Sequence, residues 1–222
     1  MKREKEAKVT KATSRMKARK QLLQDFMKVE IYNAAVNAVE KHGWSIISMD
    51  EIASEIGGSK GTIYYYFKSK NDLMADMWLY IVQEMSSVLL PIYDDKDLKP
   101  EEKLRKYIWS HILLTCQWWR FSKTIWSNAF FIVKWGEDVD KKLLKARKNT
   151  VNKYIDLVAA LGPRKSGGND SAAYKGQATI TFIESIVCWY SEPYTLTPEQ
   201  VADLVTAMLM EGLIPQKTAK ER

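Results

Sequence analysis

"SMDEIASEIGGSKGTIYYYFKSKNDL", residues 48–73, packs two helix starts and a tight glycine turn into one short segment. Ser48 is a good N-cap, and Glu51 stands three residues later, which is the spacing of a capping box. A short helix therefore covers about 49–56, and Gly57-Gly58 ends it. Ser59 can cap a second short helix, about 60–67. Gly57, Gly58, Lys60, Gly61 and Thr62 invite a phosphate, and the question is whose. A nucleotide P-loop needs G-x-x-x-x-G-K-[ST] between a strand and a helix. Here Lys60 comes before Gly61 and the preceding segment reads as helix, so a bound nucleotide is a poor fit.

Two short helices joined by a tight turn make a helix-turn-helix, whose second helix enters the major groove of DNA. Ser59, Lys60, Gly61 and Thr62 are small, polar or flexible, and they let that helix start approach a duplex closely. Helix N-terminal N–H groups favour a phosphate, and Thr62 can meet a thymine methyl or a base edge. Tyr64, Tyr65 and Tyr66 lie about 100° apart around a helix, so they cannot all be core. At least one must face outward, toward a phosphate oxygen, and Lys68 and Lys70 add positive charge.

The segment resembles the DNA-binding signature of the TetR family of bacterial transcriptional regulators. Ile31, Ala34, Ala35 and Gly43 in the preceding helix keep the family's spacing, and the likeness runs closely over about 28–74. The resemblance implies that Ser48 caps the second helix and contacts phosphate, and that Lys60, Gly61, Thr62 and Tyr64 meet base edges or sugars. It likewise makes Tyr65 and Tyr66 backbone clamps and Lys70 a phosphate contact. Ile52, Ala53, Ile63 and Phe67 look like core, and Tyr64 or Tyr66 is expected to be half-buried. The family usually has an apolar residue where Gly58 stands, and Ala38 and Val39 replace larger residues. A looser DNA-binding unit is expected from these departures.

The formal net charge is +7, and it is concentrated. Residues 1–20 hold nine basic and two acidic residues, while the other 202 residues carry 25 of each and are neutral. A basic, flexible arm over 1–20 suits a polyanion, and it serves equally as a solubilising tail. Composition is that of an ordinary globular chain, with 46% hydrophobic and 27% charged residues. No apolar run reaches membrane-spanning length, and no apolar h-region follows Met1, so neither a membrane span nor a signal peptide is expected. Cys116 and Cys188 read as buried, reduced thiols.

Helical periodicity dominates, so the fold class is all-α with about nine helices. The first helix is expected over about 18–41, with Leu23, Ile31, Ala34, Ala35, Ala38 and Val39 as its apolar stripe. Later helices are expected from Ser69 to near Pro91, and over about 101–120, 121–133, 138–161, 171–190 and 198–213. The expected organisation is the arm, a three-helix DNA-binding domain over 21–68 with its motif at about 47–66, and a helical effector-binding and dimerisation domain over 69–222.

In the body, Ile180, Ile183 and Val187 recur at helical spacing, as do Val201, Leu204, Val205 and Met208. The resemblance makes these the four-helix interface of a homodimer. Tryptophans are numerous, and Trp109, Trp118, Trp119, Trp126 and Phe130 are candidates to line a pocket for an apolar or planar effector. Glu184, inside an apolar stretch, is a candidate to attract a cationic or hydrogen-bonding ligand. His111 reads as a satisfied core histidine. The chain has two histidines and no HExxH or Cys–His cluster, so no enzyme is expected and no cofactor or metal.

The function expected from the resemblance is a sequence-specific transcriptional regulator: a repressor, cytoplasmic and nucleoid-associated, that leaves a palindromic double-stranded DNA operator when a small apolar or aromatic effector binds. The alternative is a DNA-localised protein-interaction adaptor on the same fold without an effector.

Overall fold

The computed structural model describes the backbone of residues 2–43, 46–128, 137–162, 168–190 and 196–213. Among the described residues there are nine helices and no strand. They are α1 Lys2–His42, α2 Met49–Glu55, α3 Lys60–Tyr66, α4 Lys70–Asp94, α5 Pro100–Gln117, α6 Trp119–Asn128, α7 Glu137–Ala159, α8 Gly168–Trp189 and α9 Pro198–Leu213. The chain divides into two compact units, Met1–Leu73 and Met74–Arg222.

In the first unit α1 starts at Lys2 rather than near residue 18, so the stretch expected as a flexible arm is helical. Residues 2–42 contain neither Gly nor Pro, and nothing in them stops a helix once begun. Among the side chains described in α1, the first fully buried one is Ile31. Leu23, expected in the buried stripe, is 59% exposed, as its neighbours Leu22 and Phe26 are. From there Ile31, Ala34, Ala35, Ala38 and Val39 are buried, and Ile52, Ala53, Ile63 and Phe67 join them in the core. Tyr32 packs on Phe67 with ring centroids 6.1 Å apart. The second unit is built around α5, which packs against α6, α7, α8 and α9. Leu104, Ile108 and Ile112 of α5 are fully buried against Ile183 and Ile186 of α8 and Val201, Ala202 and Val205 of α9.

α7 and α8 lie in backbone contact at one point. A Cβ on Gly176 would stand 2.8 Å from both the backbone nitrogen and the Cγ1 of Ile155, so only glycine permits this approach. α4 continues through Pro91 to Asp94, one turn past its expected end. Cys116 is buried, and burial pushes its thiol up to about 12. Cys188 is exposed, against expectation, because it lies on the outer side of α8. No helix among the described residues is long and apolar enough to cross a membrane.

Candidate nucleic-acid interface and effector cavity

The helix-turn-helix is fixed by two caps and one turn. Ser48 Oγ accepts from the Glu51 N–H at 3.2 Å, and the Ser48 N–H donates to Glu51 Oε2 at 2.5 Å. The capping box is thus complete, and such a cap contributes about 1 kcal/mol. The Ser48 hydroxyl also donates to Glu51 Oε2, so it is engaged within the box. These hydrogen bonds hold the Glu51 carboxyl below its ordinary range. Gly57 has φ of 61°, which lets its N–H and that of Gly58 close back on Ser54 O and Ala53 O, both at 3.0 Å.

Ser59 caps α3: its Oγ accepts from the Thr62 N–H at 3.3 Å and lies 3.1 Å from Thr62 Oγ1. Ser59, Lys60 and Gly61 are exposed and Thr62 is half-buried, so the start of α3 projects from its unit. Tyr64 and Tyr65 are 45% and 66% exposed, and Tyr66 is the half-buried tyrosine of the three. Tyr65 Oη accepts from Gln24 Nε2 at 3.3 Å and its ring meets Tyr66 edge-on at 5.0 Å. α1 therefore steadies the most exposed of the three tyrosines.

Two lysines differ from expectation. Lys60 Nζ lies 2.8 Å from Asp50 Oδ2, which raises its pKa. Lys70 is half-buried, and its Nζ donates to the Ile47 carbonyl at 3.0 Å. Desolvation lowers its pKa. Lys70 thus ties the start of α4 to the loop before α2, whereas Lys68 is exposed. Gly58 does not leave a void, because the Ile56 side chain already fills the space. A Cβ there would meet Ile56 Cδ1 at 3.1 Å.

The second unit holds a cavity of about 400 Å³. Trp78, Ile81, Val82, Met85 and Leu89 of α4 line it, with Tyr107, His111 and Thr115 of α5. Leu143, Leu144 and Arg147 of α7 and Ile180, Glu184 and Val187 of α8 complete most of the wall. Its size and apolar lining suit a small-molecule site. Among the described residues, Glu184 is the one expected pocket residue found on this wall. Arg147 grips it in two places, Nε to Oε1 at 3.1 Å and Nη2 to Oε2 at 2.9 Å.

The expected tryptophans lie elsewhere. Trp109 Nε1 donates to Asp203 Oδ1 at 2.7 Å, away from the cavity. Trp118 packs edge-on against Tyr80 and Phe121, at 5.7 and 5.2 Å, and Trp119 against Tyr190 at 6.2 Å. The Trp126 side chain and Phe130 lie outside the described residues. Trp78, which reasoning by tryptophan density in the body passed over, sits on the cavity face of α4, one turn from Ile81 and Val82.

His111 is buried, and its Nδ1 lies 2.8 Å from Tyr154 Oη. Burial lowers its pKa to about 4, so the ring is neutral. Tyr154 is fully buried and no other partner for its hydroxyl occurs among the described residues. An unsatisfied buried donor costs about 1–3 kcal/mol. The Tyr154 proton therefore goes to Nδ1, and the His111 proton resides on Nε2.

The expected dimer residues divide. Ile180, Ile183, Val187, Val201 and Val205 are buried in their own unit's core, because these apolar positions face α5 or the cavity. Leu204 and Met208 are 61% and 49% exposed, on the opposite side of α9. Phe182 and Trp189 are likewise exposed on the outer side of α8.

Residues 31–77 match the family described as bacterial regulatory proteins, tetR family. An uncharacterized HTH-type transcriptional regulator of Mycobacterium tuberculosis is 43% identical over 54 residues, 24% of this chain, and the match spans 23% of that relative's length. The ketosteroid transcriptional regulator KstR2 of Mycobacterium tuberculosis has a similar fold, with TM-score 0.72 and 15% identity over 86% of this chain and 96% of that one. AibR, solved in complex with isovaleryl coenzyme A and operator DNA, gives TM-score 0.66 and 20% identity over 82% of this chain and 97% of that one.

Proposed function

We propose that this chain, which belongs to the tetR family of bacterial regulatory proteins, is a sequence-specific DNA-binding transcriptional regulator: a repressor released by a small, mostly apolar effector. The observation that carries this reading is the exposed, capped start of α3, flanked by exposed Tyr64 and Tyr65. Gly61 and Thr62 meet base edges there, while Lys60, Tyr65 and Lys68 hold phosphates. The basic stretch 1–20 adds counterion-releasing charge.

A homodimer brings two such helices to successive major grooves, roughly 34–36 Å apart or somewhat more. Phe182 and Trp189 of α8 with Leu204 and Met208 of α9 form its interface, because they are large apolar side chains left exposed toward the C-terminal part of α8 and along α9. The effector occupies the cavity. α4 carries cavity residues from Trp78 to Leu89 and, toward its N-terminus, Lys70 bonded to Ile47 O. Ligand that shifts α4 acts on the DNA-binding unit through this one helix, and by linkage DNA weakens the effector. That AibR is held with isovaleryl coenzyme A and operator DNA supports a two-site design on this fold. The test is a gel-shift competition with fragments of the source genome against random duplex. One fragment that outcompetes random DNA is expected; equal competition by all would end the reading.

A further inference from the structure

The cavity wall carries four ionic side chains that cancel: Arg147 and Lys153 against Asp140 and Glu184. Arg147 and Glu184 satisfy each other in two hydrogen bonds, and Lys153 Nζ sits over the Tyr93 ring at 5.4 Å. The four charges sum to zero, so the wall offers a ligand no net charge.

Two polar groups on the wall have no partner among the described residues, the Ser122 hydroxyl and one ring nitrogen of His111, and the histidine is the one held in place by aromatic neighbours. His111 is 7% exposed, and its Nδ1 is committed to Tyr154 Oη. Its Nε2 has no partner among the described residues. Thr206 Oγ1 is the only sealed side-chain polar atom without a partner among those residues, so His111 Nε2 is not sealed off. It opens onto the cavity that His111 lines. The ring cannot easily turn away. It stacks on Tyr154 at 5.8 Å and 21°, and Tyr107 meets Tyr154 edge-on at 5.1 Å. The result is an uncharged N–H donor, fixed in direction, on a largely apolar wall.

We propose that the cavity takes an uncharged, largely apolar molecule carrying one carbonyl-type oxygen, which accepts a hydrogen bond from His111 Nε2–H. This rests on the reading of the second unit as an effector-binding body and names the chemistry of that site. Tyr154 acts as a positioning residue: its hydroxyl, by donating to Nδ1, holds the proton on the nitrogen that faces the ligand.

The test uses the full chain and four matched probes: 4-phenylcyclohexanone, phenylcyclohexane, 4-phenylcyclohexylamine and 4-phenylcyclohexanecarboxylate. Calorimetry should give the ketone about tenfold tighter binding than the hydrocarbon. In His111→Phe that preference should vanish while hydrocarbon binding persists. Tightest binding by the amine or the carboxylate would overturn the proposal in favour of Glu184 or Arg147, and equal binding of ketone and hydrocarbon would overturn it while leaving an apolar effector site. Failure of all four to bind would remove the effector reading along with it. Independently of any variant, nitrogen-15 NMR of the native chain, which has two histidines, should show His111 neutral and protonated at Nε2 near pH 7. Protonation at Nδ1 would overturn the assignment.

Discussion

Lys60 Nζ lies 2.8 Å from Asp50 Oδ2, joining the first turn of α3 to the first turn of α2. Both side chains are exposed, at 61% and 57%. The lysine at the tip of α3 is therefore shared between a carboxylate and any approaching phosphate. Asp50→Asn should tighten binding to every duplex and steepen the salt dependence by up to about one unit of slope. Fluorescence anisotropy across a salt series checks this. Weaker binding would mean that Asp50 positions Lys60 instead of competing for it.

Thr62 and Tyr65 should separate sequence reading from general affinity. Thr62 is at the capped start of α3, and Tyr65 is two-thirds exposed and steadied by Gln24. Thr62→Ala should change base preference by about 1–3 kcal/mol at one position of the site. Tyr65→Ala should weaken all sequences alike. A selection from randomised duplexes, run with both variants, distinguishes the two effects.

Lys70 makes a contrary prediction. Its Nζ bonds the Ile47 carbonyl and is partly desolvated. Lys70→Met should lower the stability of the first unit by about 1 kcal/mol while leaving the salt slope of DNA binding nearly unchanged. Thermal unfolding and the same salt series, taken together, decide it. A slope reduced by about one would return Lys70 to the phosphate contacts.

His111 sets an acid limit on the second unit. The unfolded histidine takes up a proton near pH 6.5, the folded one only near 4. The folded pKa is the lower, so the unfolded chain binds more protons between these values and stability falls as pH drops. The contribution is complete above pH 6.5 and is lost by pH 4, a change of about 3 kcal/mol. The unfolding temperature of the native chain should drop more steeply across this window than that of His111→Gln.

The outer faces of α8 and α9 should govern assembly. Leu204→Glu with Met208→Glu places two charges on an exposed apolar stripe and leaves the core residues Val201 and Val205 untouched. Sedimentation should report a dimer for the native chain and a monomer for the double variant, each still fully helical by circular dichroism. A native monomer at micromolar concentration would discredit the interface.

Legibility followed the range of the interactions. Ser48, Glu51, Gly57 and Ser59 act through bonds three to five residues long, so their roles are written in the local sequence and the structure has them as expected. α9 is bounded as its Thr197-Pro198 start suggests. What failed depended on which side of a helix meets its own core. α8 carries apolar residues on both sides, Ile180 and Ile183 inward and Phe182 and Trp189 outward, and periodicity cannot rank two apolar stripes. Residue type alone points to the tryptophans, yet Trp109, Trp118 and Trp119 turn to Asp203, Tyr80 and Tyr190, and Trp78 lines the cavity. Arg147 is separated from Glu184 by 37 residues, a pairing no local pattern announces.

Gly176 and Ile155 press α8 and α7 together at backbone distance, while Glu184 and Arg147 bridge the same two helices eight residues further along each. That is a span of about 12 Å at helical rise. The pair behaves as a calliper with its pin at Gly176 and its jaws at the ion pair. Gly176→Ala would force the pin apart by the width of a methyl group, and the two helices would have to separate there even with the jaws still closed.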